Sequence, residues 1–221
     1  PGHKAGLFAT WRYDAPTYYG NTAAGYLASN TNDLVKWMHY VNNNIDFDSF
    51  PITDSNNYYA GWNIYPEKVV HSGNNPNYGT QIIISKNNDL GVFVLSASDG
   101  DIATKIANGI YEMHMGAKTK IGLCISSHEL LDFIFIMCTL LLLYVALLLQ
   151  YKREWLCLCG GAMILIIVIL IPIISHFSYR FLLVWMPYSF VTFMFGILAL
   201  VVWLILKGFI HKNIVNTNQE R

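Results

Sequence analysis

Four consecutive residues, His71, Ser72, Gly73 and Asn74, set an imidazole, a hydroxyl, a residue without a side chain and a primary amide side by side. The run follows the apolar pair Val69-Val70, so the imidazole, the hydroxyl and the glycine stand at a strand that a polar turn follows, just ahead of Tyr78-Gly79. Imidazole and hydroxyl groups give hydrogen bonds to a carbonyl or carboxylate, and Gly73 leaves room for a ligand to approach the backbone. This chemistry suits acyl transfer, in which fixed donors stabilise a developing oxyanion.

Other chemistry is sparse. All four cysteines (Cys124, Cys138, Cys157 and Cys159) lie beside or inside apolar segments, so no disulfide framework is expected. Cys157 and Cys159 lack further ligands at a metal-binding spacing and read as packing residues. The formal net charge is zero, which gives no nucleic-acid footprint. Neither a metal nor a cofactor is expected.

The elements that must hold the run come next. Thr31 to Val41 reads as an amphipathic helix with Leu34, Met38 and Val41 on one face and Ser29 or Thr31 as its cap. Strands are expected at residues 60–65, 68–72, 79–85 and 91–96, the last two joined as an antiparallel hairpin by Lys86-Asn87-Asn88-Asp89. From Asp101 to Met115, Ile102, Ile106, Ile110 and Met113 recur at helical spacing, with Asp99 or Asp101 as cap. Helix, strands, hairpin and helix in this order make an α+β fold.

Residues 130–206 belong to a different solvent, since their only Asp, Glu, Lys or Arg residues are Asp132, Lys152, Arg153, Glu154 and Arg180. Spanning the hydrocarbon takes about 20 apolar residues. Three spans are expected, near 130–149, 156–174 and 187–206, within an anchor of residues 126–210 that follows a domain of residues 1–125. Lys152 and Arg153 in the first loop, with Lys207, Lys212 and Arg221 after the third span, place that loop and the tail (211–221) in the cytoplasm, and the domain outside. Tyr151, Trp155, Trp185, Tyr188 and Trp203 fall at belt positions. Asp132 reads as an interfacial carboxylate near the outer edge, and Gly160, Gly161 and Ala162 as a site of close helix approach.

In the company of these elements, His71-Ser72-Gly73 resembles the third motif of the serine beta-lactamase and penicillin-binding peptidase family, a Lys-Thr-Gly or His-Ser-Gly strand. Residues 24–38, from Ala24-Gly25-Tyr26-Leu27 to Met38, are similar to that family's helix entry. The resemblance covers about residues 1–116. It implies the C-terminal part of a penicillin-binding-type domain, with His71, Ser72 and Gly73 lining a cleft and the Asn74 N–H as an oxyanion donor. The family's Ser-x-x-Lys is absent, so the nucleophile, its lysine and the general-base tyrosine are expected in a portion preceding Pro1. Two Tyr-x-Asn matches, at Tyr19 and Tyr40, read as chance.

A domain of this type with three spans resembles the membrane-bound, colibactin-maturing type of peptidase, which removes an N-acyl-D-asparagine cap from a nonribosomal-peptide prodrug. That resemblance implies Asn74, and with it His3, as contacts to the substrate. The partners expected are the peptide prodrug, the lipid bilayer, the missing N-terminal portion and a second copy through the membrane helices. The location expected is the bacterial inner membrane, with the domain on the periplasmic side. A general D-amino-acid carboxypeptidase or esterase, and a non-catalytic binding or sensing protein, stand as the alternatives.

Overall fold

The computed structural model describes residues 1–21, 25, 27–53, 56–118, 125–149 and 154–219. Ala24, Tyr26, Lys120, Cys124, Tyr151, Lys152, Arg153 and Arg221 lie outside them, as do the side chains of Trp155, Cys157 and Lys212. The chain forms two compact units: Pro1–Lys4 with Trp11–Ser127, and Ala5–Thr10 with His128–Arg221. The division falls close to residue 125, but the assignment of Ala5–Thr10 to the second unit is not legible in the sequence.

The first unit is a mixed α+β structure. Its centre is a five-stranded antiparallel sheet of β3 (Tyr58–Tyr59), β4 (Trp62–Ile64), β5 (Lys68–Asn75), β6 (Tyr78–Ser85) and β7 (Gly91–Ser96), in that spatial order. Strand alternation gives the sheet two apolar faces. On one, Val69, Ile82 and Ile84 pack with Trp62 and Ile64 against Met38 and Val41 of helix α1 (Thr31–Asn44) and against Phe47. On the other, Ile83 and Val92 meet Ala107 and Tyr111 of helix α2 (Ile102–His114).

Both helix caps differ from the expectation. Asn30 caps α1, its side chain accepting from the Asp33 N–H at 3.1 Å, because it is the residue with extended backbone immediately before the first turn. Asp101 occupies the capping position of α2 without capping it. Its carboxylate instead accepts from the Ser127 N–H at 2.7 Å and pairs with Lys105 at 3.1 Å. Burial alone would raise its pKa, yet these partners hold it below the usual carboxylate range.

A further two-stranded sheet joins β1 (His3–Gly6) to β2 (Ala9–Arg12), neither of which the sequence pattern announces. The second unit contains α3 (Ser127–Leu149), α4 (Glu154–Ser175), α5 (Tyr179–Trp185) and α6 (Tyr188–Gln219). Among the described residues, two helices, Ser127–Leu148 and Tyr188–Lys207, are long and apolar enough to cross a membrane. A third span exists if Cys159–Ser175 and α5 count together, a pair bent by 81°. The sequence reading has a plain loop where α5 stands. Leu200 and Leu204 of α6 pack with Leu142 and Ala146 of α3 and Ile164 of α4. Gly161 lies against Leu204, so that small residue serves helix packing within the chain.

Candidate functional site

β5 pairs with β6 along its whole length, from Lys68↔Ser85 to Asn75↔Tyr78, but with β4 only at Val69 and Val70. Among the described residues, no strand lies beside the β4-side edge of β5 from His71 to Asn75. The direction of each backbone group there follows from two hydrogen bonds. The Lys68 carbonyl accepts from Tyr65 N–H on the β4 side, and the Glu67 carbonyl accepts from Lys86 N–H on the β6 side, each at 2.9 Å. Backbone groups of successive strand residues point to opposite sides. The N–H groups of Ser72 and Asn74 therefore face the open edge, one on either side of Gly73.

The side chains divide by the same alternation. Ser72 and Asn74, both exposed, stand on the α2 face, whereas His71 and Gly73 stand on the α1 face. The structure thus brings the backbones of the four residues to one edge and sends their side chains to two faces.

His71 is exposed yet fixed. Its Nδ1 is in hydrogen-bond contact with the Gly61 carbonyl, and its ring meets that of Trp62 edge-on at 6.1 Å. Trp62 in turn stacks on Trp37 at 5.7 Å, with planes 11° apart, and receives Phe47 edge-on at 5.4 Å. The tight turn that delivers the Gly61 carbonyl has positive φ at both Ala60 (48°) and Gly61 (89°), which suits the connection of β3 to β4. Trp62, Trp37 and Gly61 are the positioning residues that sequence reasoning misses. The alternation of Trp62 with Ile64 carries a trace of the signal, but the register to His71 does not appear in it.

Gly73 has a local reason that differs from the expected one. Across the ladder it faces Thr80, and a Cβ at position 73 would lie 2.5 Å from Thr80 Oγ1. The space on that face is occupied by a threonine of the sheet itself. On the other face, Gln81, opposite Ser72, is buried and accepts from Thr104 of α2 at 2.9 Å.

His3 is elsewhere in the unit. Its Nδ1 contacts the Ala97 carbonyl at 3.0 Å, and its backbone joins Asn77 and Asp99. Ala97 follows Ser96, which pairs with Gly79, itself the partner of Asn74. The imidazole is therefore held two strands away from the β5 edge, roughly 9–10 Å at the usual strand spacing. Tyr19 lies in a short 3-10 turn and Tyr40 is exposed on α1. A cleft of about 250 Å³ lined by Met38, His39, Asn42, Asp89 and Gly91 sits at the opposite end of the sheet from the Asn74 row. No group of three or more potential metal ligands occurs among the described residues.

No family model and no curated protein matches the chain.

Proposed function

We propose that residues 1–125 are the C-terminal part of a penicillin-binding-type serine hydrolase, held by the apolar helices in the bacterial inner membrane with this part outside. On this reading the enzyme removes an N-acyl-D-asparagine cap from a nonribosomal-peptide prodrug. The observation that carries it is the open edge of β5, with the N–H groups of Ser72 and Asn74 directed outward and Gly73 between them.

An extended acyl-peptide laid along such an edge gains main-chain hydrogen bonds, as an added strand does. Its scissile carbonyl oxygen then accepts from the Asn74 N–H while the Asn74 amide pairs with the D-asparagine side chain. A serine outside residues 1–221 adds to the carbonyl carbon, and negative charge collects on the oxygen held by that donor. The carbon–nitrogen bond breaks, the amine leaves with a proton, and water releases the acyl group from the serine. Removing one such donor typically costs about 3–4 kcal/mol of transition-state stabilisation. His71, held by Gly61 and Trp62, presents its remaining ring nitrogen on the neighbouring face.

The absence of Ser-x-x-Lys favours one second reading, in which the edge binds an extended peptide without cleaving it. A fluorescent beta-lactam separates the two. The hydrolase reading expects covalent labelling of a serine upstream of Pro1 in the full-length gene product and none in residues 1–221. An unlabelled full-length protein that still binds acyl-D-asparaginyl peptide leaves the binding reading.

A further inference from the structure

The turn between β1 and β2 is built against its own backbone preference. A two-residue hairpin turn with positive φ at both central positions selects Asn-Gly or similar pairs. Here those positions are Leu7 (φ 56°) and Phe8 (φ 62°), two bulky apolar residues in the left-handed region. Strain of this kind persists only where surrounding structure holds it. Asp132 does so: its Oδ1 accepts from the Leu7 N–H at 2.8 Å and its Oδ2 from the Phe8 N–H at 2.9 Å. The carboxylate is buried, at 3% exposure, and both oxygens are used.

The side chains of the turn are left largely uncovered. Phe8 is 72% exposed and Leu7 46% exposed, and the Phe8 ring lies 6.5 Å from that of Phe133. Asp132 and Phe133 belong to the apolar helix Ser127–Leu148. Five residues at about 1.5 Å each put Asp132 roughly 7–8 Å along the axis from Ser127. Counted from the start of the apolar window, that distance matches the roughly 5–10 Å by which amphipathic segments bury apolar side chains at the headgroup boundary. The preceding Gly6 lies against Tyr188, the first residue of the other long apolar helix, where a Cβ would meet Tyr188 Cβ at 2.4 Å.

We propose that Leu7 and Phe8 form a bilayer-interface anchor, inserted among lipid headgroups and upper acyl chains, with Asp132 as the group that presents them. The continuity of Phe8 with Phe133 on an apolar helix commits the occupant to lipid. The arrangement also accounts for a carboxylate within an apolar helix, because its two oxygens receive amide N–H groups that a left-handed turn brings into parallel. The proposal rests on Ser127–Leu148 lying in a bilayer, and is independent of any hydrolase activity.

The test uses the whole chain in vesicles of phosphatidylethanolamine and phosphatidylglycerol, with trifluoromethyl-phenylalanine at position 8 and, in a second sample, at position 141. Leu141 is 60% exposed on the same helix. Fluorine line broadening is read with a doxyl lipid labelled near the headgroup and with a water-soluble gadolinium chelate. The expected result is broadening at position 8 that is several-fold greater from the lipid probe than from the chelate. Greater broadening from the chelate, or none from either because a second copy covers the turn, overturns the anchor. If position 141 also escapes doxyl probes along the acyl chain, the membrane reading falls with it; lipid contact at 141 alone removes only the anchor. Asp132→Ala in the position-8 sample should lower the lipid broadening several-fold, and an unchanged signal from folded protein would remove the clamp assigned to Asp132. Should that variant not fold, the reading at position 8 with Asp132 intact still decides the anchor.

Discussion

Gly73 and Thr80 face each other across the β5–β6 ladder so closely that a single added carbon at position 73 would stand 2.5 Å from the threonine hydroxyl oxygen. Gly73→Ala should therefore destabilise the first unit by about 1–3 kcal/mol, the usual range for an overpacked site. Thr80→Ala removes the colliding atom and leaves Thr80 Cβ, which lies 3.8 Å away. The double variant should recover most of the loss, a coupling that chemical denaturation of the four proteins measures. Additive losses would mean that the contact is not what excludes a side chain.

Lys4 supplies a pH dependence with a definite sign. It is fully buried beside Asp99, with its ammonium 4.7 Å from the centre of the Tyr13 ring. Burial lowers its pKa from 10.5 to about 8, against the opposing attraction of Asp99. Between those two values the unfolded chain holds a proton that the folded chain has released. Stability should accordingly rise as pH climbs from about 8 toward 10.5, and the charged form should be a burden below 8. Lys4→Met should flatten that rise, as read from unfolding midpoints of the detergent-solubilised chain across the window. An identical slope in the variant would assign the titration to another group.

On the proposed hydrolase reading, Asn74 separates specificity from catalysis. Asn74→Leu removes a donor and an acceptor from the side chain but keeps the backbone N–H at the open edge. In the full-length enzyme, kcat/KM for an acyl-D-asparagine substrate should fall by about 10²-fold, on the order of 3 kcal/mol, while a D-alanine analogue is spared. Equal losses on both substrates would assign Asn74 to the fold or to the oxyanion and not to side-chain recognition.

The basic residues around the spans give an equally direct test of orientation. On the proposed reading, with residues 1–125 outside the inner membrane, protease added to that side should digest them and a tag after Arg221 should be protected. A digested tag with a protected domain would invert the arrangement.

Much of the fold is legible because its signals are local. Met38 and Val41 repeat at helical spacing, Ile82, Ile83 and Ile84 form the short apolar run of a strand buried on both faces, and Lys86 to Asp89 mark the β6–β7 turn, so α1, the hairpin and α2 appear from pattern alone. The first hairpin stays hidden for the opposite reason: Leu7 and Phe8 occupy turn positions where the expected Asn or Gly is missing, and Asp132, 125 residues away from Leu7, stabilises them. α5 escapes because seven residues between two apolar runs look like a loop. At the site, a strand as far as Ser72 follows from the sequence, while its continuation through Gly73 and Asn74 to Asn75 shows only in the structure. The side to which its backbone groups turn does not follow from the sequence, since the Tyr65–Lys68 and Lys86–Glu67 bonds fix it, and neither does the openness of that edge, which depends on β4 pairing no further along β5 than Val70. Nor does the separation of His3 from that edge, which is set by its bond to Ala97.

The order of the strands has a consequence for how the chain acquires its shape. In the five-stranded sheet, spatial order equals chain order, so each strand pairs with the one made just before it. Pairings of this kind close short loops and are favoured early, in contrast to contacts between distant segments. During synthesis the sheet can grow strand by strand as each emerges, without waiting for residues still to come. β1 is the exception: its bridge to Ser98 and the His3–Ala97 contact, 94 residues apart in the chain, can form only after β7 has been made. Substitutions at His3 should therefore accelerate unfolding and leave the refolding rate of the sheet nearly unchanged.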